Sequence, residues 1–494
     1  MSESVIGLEP KAEIYPNSIL AKIDINIGPV GNAYRGIMME VEKVAKGVKN
    51  FSAIYVEGLY GSGKTLVLRK AVYDIMSGPA KDAFKTVLPI YFFLGEMDFK
   101  PLQSLKRYVE DLRTYISGQR VSIGSRIIGE REDWKSSLQL LEELLKIISE
   151  IEEKYRKEEE REIEGFFEAL REVNNRGSYP LVIFDEFERV LYTGEGLRSE
   201  GSIRAFTSFI SKYLELTRGH SYSGAFVVAI TRPVIELVSN AIKESRPLTR
   251  VFDQLAIPLS KPGDFPMVRP HIVYDLEFKL TWSGVHLESL AKRYGFILHS
   301  DLLNLISAVL PTPRAIIQID RKIRIHLDKA PSVVSFKEFY SIIEGRINEL
   351  IERLKREFIE GRPIIAPRAT WHERFVELLR NGYLALRSKD YVEVAKILGI
   401  DISDLRKCRE KVGQLLHKLS VLGFYEKLGA GEYRLNPYIF AYALEIENLP
   451  DGSRANIDEL VSKIKNTVKE LREEHRKYRE RKKETEAEKK SIGD

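Results

Sequence analysis

The sequence has few of the features that mark secreted or membrane proteins. Its 494 residues include one cysteine, Cys408, so no disulfide can form within the chain, as is usual in a reducing cytosol. The longest apolar run, residues 86–94, is about half the length of a membrane-spanning helix, and Pro89 interrupts it. The N-terminus has no secretory signal pattern. We therefore expect a cytoplasmic protein with no membrane partner.

The chain also lacks a strong excess of charge of either sign. Charged residues make up 30% of the sequence, but the formal net charge is only +5. Such a balance does not by itself indicate a nucleic-acid partner. The 44% of hydrophobic residues and the length are enough for several domains with cores of their own.

Short apolar runs alternate with helical patterns in the first half of the chain. Such alternation predicts an α/β fold with a doubly wound parallel sheet. The strand-like runs are residues 53–56, 86–94, 181–184 and 225–230, and the helical patterns are residues 36–46, 65–77, 102–175 and 202–216. From about residue 285 the strand signal fades, and a long helix is predicted over residues 336–360.

These patterns predict four parts of the chain. They are a core at residues 1–280 with a helical insertion at 100–178, a helical lid and connector at 281–362, a C-terminal domain at 363–450, and a charged helical tail at 451–494.

A glycine-rich loop follows the first predicted strand and opens a helix. Glycine lets backbone N–H groups approach a phosphate closely, and a helix N-terminus favours negative charge. In such loops the lysine contacts the β and γ phosphates, and the following hydroxyl holds Mg²⁺. The loop comprises Gly58, Leu59, Tyr60, Gly61, Ser62, Gly63, Lys64 and Thr65. The sequence therefore predicts an ATP site with Mg²⁺, and Thr65 as one residue that holds the metal.

Two adjacent acids end the apolar run at residues 181–184. Asp185 and Glu186 follow a strand whose carboxyl end is expected at the ligand-binding edge of the sheet. An aspartate in this place can hold Mg²⁺ through water, and a glutamate can act as the base for the attacking water. We predict that Asp185 holds the metal and that Glu186 is the catalytic base of an ATPase.

With these motifs, residues 30–440 resemble the AAA+ ATPases, in particular the archaeal origin-recognition initiator family. The resemblance implies a sensor position at Thr231, at the end of the strand that contains residues 227–230. It also implies that Arg314, within residues 311–315, reaches back to the γ phosphate from the lid. Either Arg246 or Arg250 would be an arginine finger acting on a neighbour's nucleotide, with Arg250 the better match just before an expected strand. Such a finger implies a homo-oligomer.

One feature favours a second family. The strand that contains Thr231 continues into Arg232, and an arginine at this tip is similar to the STAND signalling ATPases. In that alternative, the C-terminal domain contacts another protein. A third alternative is a helper ATPase of a mobile element or virus.

The C-terminal domain has the pattern of a winged helix-turn-helix. Residues 392–400 are typical of its first helix, with Gly399 in the turn, and Asp401 or Ser403 is expected to cap the second. The buried face of that second helix is predicted to comprise Leu405, Cys408, Val412, Leu415, Leu416 and Leu419. Its other face is basic, and residues 423–434 are typical of a wing. We predict double-stranded DNA as a partner through residues 391–434, with protein contacts as the alternative.

Overall fold

The structure is a computed structural model that divides into two compact units, Met1–Thr281 and Trp282–Asp494, which are described separately. The described residues are 24–76, 86–93, 100–116, 134–155, 162–190, 192–193, 196–197, 200–218, 222–235, 242, 244–255, 257, 274–298, 300–326, 334, 336–360, 371–446, 456–458, 461–462, 464–466, 469 and 473.

A parallel sheet of five strands is the centre of the first unit. Its strands are β1 (Phe51–Gly58), β2 (Val87–Phe93), β3 (Tyr179–Asp185), β6 (Gly224–Thr231) and β7 (Leu276–Leu280), in the order β2-β3-β6-β1-β7. Two short strands, β4 (Tyr192–Thr193) and β5 (Gly196–Leu197), form a separate hairpin. Each neighbouring pair in the large sheet is parallel. The predicted parallel α/β sheet is confirmed.

β6 is buried along its whole length, so both of its faces are covered, and helices of this unit pack around the sheet. These helices are α1 (Gly28–Ala45), α2 (Lys64–Met76), α3 (Pro101–Ile116), α4 (Trp134–Tyr155), α5 (Glu162–Asn175), α6 (Glu200–Arg218) and α7 (Arg246–Gln254). The inserted helices α3, α4 and α5 pack on one another and add Leu105, Ile148 and Phe166 to the hydrophobic cluster under β3. Burial of this apolar surface is the main favourable term for the unit.

The segment around Arg250 differs from the prediction. We expected a strand directly after Arg250, but residues 246–254 form helix α7. Val251, Phe252 and Leu255 are buried, whereas Arg246 and Arg250 are exposed. This spacing gives one apolar face at helical period, which the short window around Arg250 did not reveal. The next described strand begins only at Leu276.

The second unit is mainly helical and includes a small sheet. Its helices are α8 (Gly284–Tyr294), α9 (Ser300–Val309), α10 (Pro313–His326), α11 (Phe336–Glu360), α12 (Trp371–Arg380), α13 (Tyr391–Ile397), α14 (Leu405–Val421) and α15 (Pro437–Ala443). The sheet contains β8 (Ala385–Leu386), β9 (Tyr425–Gly429) and β10 (Glu432–Leu435), and both of its pairings are antiparallel. Most of the predicted tail at residues 451–494 lies outside the described residues.

Two expectations for α14 are wrong. Asp404 caps the helix, since its side chain accepts hydrogen bonds from the backbone N–H groups of Arg406 and Lys407. Asp401 instead accepts from Ser403, in a turn before the helix. Leu405 is 56% exposed, because it is the first helical residue and lies beyond the core that the later leucines fill. The other five residues of the predicted apolar face, Cys408 among them, are buried.

In the described part of the chain, no helix combines the length and the apolar character that a bilayer crossing requires.

Candidate nucleotide-binding site

The glycine-rich loop connects β1 to α2, as the sequence predicted. Gly63 has φ +101°, and a Cβ there would lie 2.8 Å from Val30 Cγ1. A Cβ on Gly58 would lie 2.4 Å from Ser62 Oγ. Side chains at these two positions would therefore distort the loop, which is the physical reason for glycine in both.

Lys64 turns its charge into the loop. Its side-chain Nζ donates hydrogen bonds to the carbonyl oxygens of Gly58 and Leu59, both at 3.1 Å. Lys64 is only 6% exposed, although it is charged. A buried ammonium held by two carbonyl oxygens of the loop is a suitable partner for phosphate oxygens. Thr65 is the second residue of α2 and is half-buried.

Strand register brings the loop level with the other strand ends. Gly58 pairs with Thr231 of β6 on one side and with Leu280 of β7 on the other. On the far side of β6, Asp185 ends β3 and pairs with Phe93 of β2. Because all five strands are parallel, the predicted residues Thr231 and Asp185 lie at the same edge of the sheet as the loop.

Asp185 is fully buried, and both of its carboxylate oxygens accept hydrogen bonds. Oδ2 accepts from the Tyr91 hydroxyl of β2, and Oδ1 accepts from the backbone N–H of Glu186 at 3.0 Å. The carboxylate therefore has a fixed orientation. The tyrosine was not predicted, since only the cross-strand register brings it to Asp185.

Glu186 has an unusual backbone and an unusual acidity. Its φ is +53°, a left-handed conformation that is rare outside glycine and is common at functional sites. Burial raises its pKa to about 7, against the opposing charges of Arg189 and Lys64. The Arg189 Nε lies 2.6 Å from Glu186 Oε2. A carboxyl group whose pKa is near neutrality can exchange a proton at physiological pH, which suits a general base.

Glu188 is a third acid at this edge that sequence reasoning missed. It lies in the 3₁₀ turn Phe187–Val190 and is 3% exposed. Its Oε2 accepts a hydrogen bond from the backbone N–H of Thr231 at 2.9 Å. The turn after Asp185 is therefore tied to the end of β6. A third acid two residues after Glu186 was the available signal, but the turn that buries it could not be predicted.

The remaining predicted residues are arginines of α7 and α10. Arg246 and Arg250 are exposed one turn apart on α7. Arg314 is the second residue of α10, in the other unit. Thr312 Oγ1 accepts from the backbone N–H of Ala315 at 3.3 Å, so it caps this helix directly before Pro313. The roles of the three arginines remain predictions.

Mg²⁺ fits the groups at the sheet edge. A hydroxyl from Thr65 and a carboxylate from Asp185 are oxygen donors of the kind that it prefers. Among the described residues, no group of three or more His, Cys, Asp or Glu could hold a metal without further ligands.

Comparison with known proteins gives structural likenesses only. No protein-family model and no curated protein matches the chain. A Walker-type ATPase of Pyrococcus abyssi is 14% identical, with a TM-score of 0.37, and the match covers 86% of this chain and 100% of that one.

Two origin-recognition structures are similar to the same degree. The ORC2 protein of Aeropyrum pernix, in ADPNP and ADP complexes, is 14% identical and has a TM-score of 0.37. The match covers 91% of this chain and 97% of that one. Drosophila ORC bound to DNA is 13% identical and has a TM-score of 0.36. The match covers 90% of this chain and 91% of that one. At these identities and TM-scores, the likenesses assign no activity to this chain.

Proposed function

We propose that this protein is an AAA+ type ATPase that binds ATP with Mg²⁺ at residues 58–65 and hydrolyses it. The observation that carries the proposal is the common sheet edge of the glycine-rich loop, Asp185 and Glu186. Glu186 takes a proton from water as the water oxygen attacks the γ phosphorus and the bond to ADP breaks. Thr65 and Asp185 would hold Mg²⁺, which would supply positive charge beside the phosphate oxygens.

Glu186→Gln tests the assignment of the base. The amide keeps the size of the side chain but cannot accept the proton, so we expect hydrolysis to fall by roughly 10² to 10⁴. ATP binding should persist, because the loop and Lys64 are unchanged. Steady-state phosphate release and calorimetric binding of ATP measure the two effects. Parent-like hydrolysis by the variant would show that Glu186 is not the base.

We further propose that residues 371–446 are a winged helix-turn-helix that binds double-stranded DNA. In this assignment α13 and α14 are the helix pair, and the hairpin of β9 and β10 is the wing. Four cations on α14 support the proposal, since all are exposed and none makes an ion pair within the described residues: Arg406, Arg409, Lys411 and Lys418. On the wing, Glu426 is paired with Arg434 at 2.7 Å, which neutralises an acid that would repel phosphate.

The dependence of DNA affinity on salt concentration tests this proposal. Phosphate contacts release counterions, so the affinity should fall steeply with salt, and Arg409→Ala should reduce the slope of log K against log salt by about one. Lys292→Ala is the matched control, because Lys292 is exposed on α8 of the same unit and is paired with Glu288. The measurement uses duplex DNA with ATP, ADP and no nucleotide.

The nucleotide-state series also tests whether ATP controls the second unit. If the protein binds no DNA in any nucleotide state at low salt, the DNA proposal is wrong. The exposed face of α14 would then favour a STAND-type signalling ATPase with a protein partner. In either case Arg314 stays a proposed sensor of the γ phosphate, and the boundaries 281–362 and 363–450 stay proposed domain limits.

A further inference from the structure

A tyrosine outside the predicted site contacts the carboxylate that is proposed to hold Mg²⁺. Tyr91 lies two residues before the end of β2 and pairs with Ile183 of β3. Its hydroxyl donates to Asp185 Oδ2, while the backbone N–H of Glu186 donates to Oδ1. The two donors hold the two oxygens of one carboxylate, so Asp185 cannot rotate without losing a hydrogen bond in a buried place.

Arg69 extends this contact to the helix that follows the glycine-rich loop. Its guanidinium carbon lies 5.6 Å from the centre of the Tyr91 ring, within reach of a cation–π interaction. Arg69 is four residues after Thr65 on α2, so both side chains lie on the same face of that helix. Tyr91 therefore stands between the helix that carries Thr65 and the strand that carries Asp185.

We propose that Tyr91 is a positioning residue for Mg²⁺, which orients Asp185 and, with Arg69, sets its distance from Thr65. The inference rests on the proposed function of the site. Mg²⁺ requires near-octahedral geometry at short distances, so a misplaced carboxylate weakens its binding. Groups that orient a metal ligand are typically worth about 10-fold to 100-fold in metal affinity or activity.

Tyr91→Phe in the full chain removes only the hydroxyl. The probe is ADP, and its affinity is measured by calorimetry in EDTA and in saturating Mg²⁺. We expect an unchanged affinity in EDTA, because Lys64 and the loop are intact. The increase in ADP affinity on adding Mg²⁺ should be about tenfold smaller than in the parent. The Mg²⁺ concentration for half-maximal hydrolysis should rise.

Tyr213→Phe is the matched control. Tyr213 lies in the core of the same unit, is 1% exposed, and its hydroxyl has no hydrogen-bond partner among the described residues. Loss of the Tyr213 hydroxyl should leave the increase in ADP affinity with Mg²⁺ the same as in the parent.

Three results would overturn the proposal. A parent-like gain from Mg²⁺ in Tyr91→Phe would show that the hydroxyl does not position Asp185. An equal loss of affinity in EDTA and in Mg²⁺ would show a merely structural role. If the parent itself binds no ADP, the proposed function fails and this inference fails with it, whereas the first two results leave nucleotide binding intact.

Discussion

At the residue scale, each buried acid after β3 is held by a different donor: Asp185 accepts hydrogen bonds from Tyr91 and from the backbone N–H of Glu186, and Glu188 accepts one from the backbone N–H of Thr231. An apolar strand that ends in Asp185 and Glu186 is readable, because strand ends in a parallel sheet meet at one edge. The contacts of Glu188 and Tyr91 are not, since they depend on a 3₁₀ turn and on cross-strand register. Likewise, the positive φ of Glu186 could not be predicted, because positive φ values are usually signalled by glycine and this residue is a glutamate. The sequence therefore predicted the acids of the site, but not Tyr91 and Glu188, which form hydrogen bonds at the ends of neighbouring strands.

Arg189 should set the pH dependence of hydrolysis. Its charge lowers the pKa of Glu186, which burial has raised to about 7. The base must be ionised, so hydrolysis should increase as the pH rises through this region. Arg189→Ala removes the lowering influence, and we expect the acid limb of the kcat profile to move to higher pH.

A pH–rate series from acid to alkaline buffers checks this shift. Arg176→Ala is the control, because Arg176 makes an ion pair with Glu143 between inserted helices, away from Glu186. An acid limb that stays in place in Arg189→Ala, or that moves equally in both variants, would contradict the assigned role.

At the scale of elements, buried strands were easier to predict than short helices. The runs at residues 225–230 and 181–184 are continuous aliphatic segments, and the strands extend them by only one or two residues. The prediction of a strand at α7 was wrong because Val251 and Phe252 alone have the pattern of a strand. Only together with Leu255 do they form one apolar face of a helix. β7 alternates between exposed and partly buried residues, so its pattern was too weak to predict an edge strand.

Glu40 joins α1 to the sheet through a buried network. The carboxylate is 2% exposed and accepts from Ser52 Oγ and Lys49 Nζ at 2.8 Å each, while Lys49 and Ser52 also reach Asp275. Burial raises its pKa, but the hydrogen bonds from Lys43, Lys49 and Ser52 lower it to about 2. A folded pKa below the unfolded value of 4.5 stabilises the folded state above pH 4.5. That stabilisation is lost as the pH falls from 4.5 towards 2.

Glu40→Gln should therefore destabilise the first unit at neutral pH. The shift corresponds to about 3 kcal/mol, and the amide keeps part of the network, so we expect a loss of about 1 to 3 kcal/mol. The difference from the parent should disappear at acid pH. Urea unfolding at several pH values measures it, with Glu42→Gln as the control, because Glu42 makes an exposed pair with Lys46 on the same helix. Equal effects of the two substitutions would contradict the network's role.

At the scale of the whole molecule, the proposed activities lie in different units. The glycine-rich loop and Glu186 belong to the first, and α14 with its exposed cations belongs to the second. The predicted limit of the core rests on the change from strands to helices near residue 285, whereas the limit predicted around residue 361 stays a prediction. The proposed core ends at residue 280, close to Thr281, where the contacts of the structure divide the chain into two units.

The α7 arginines offer a test of assembly. Both are exposed at a spacing of four residues, so both face the same side of the helix. An arginine finger stabilises charge on a transferred phosphoryl group and is worth roughly 10³ to 10⁵ in rate. If Arg250 acts on a neighbour's nucleotide, Arg250→Ala should lose most hydrolysis but keep ATP binding, whereas Arg246→Ala should resemble the parent. The reverse would assign the finger to Arg246.

Mixed subunits then decide whether the arginine acts between copies. Lys64→Ala subunits lack the phosphate contact but keep Arg250, and Arg250→Ala subunits keep the loop. A mixture can therefore form sites with an intact loop from one copy and an intact arginine from the next, so we expect hydrolysis above the sum of the separate variants. Phosphate release is measured over a range of mixing ratios, with sedimentation at the same concentrations to follow assembly. A mixture no more active than its parts, although the copies assemble, would rule out a finger in trans, because the arginine would then serve its own subunit or none.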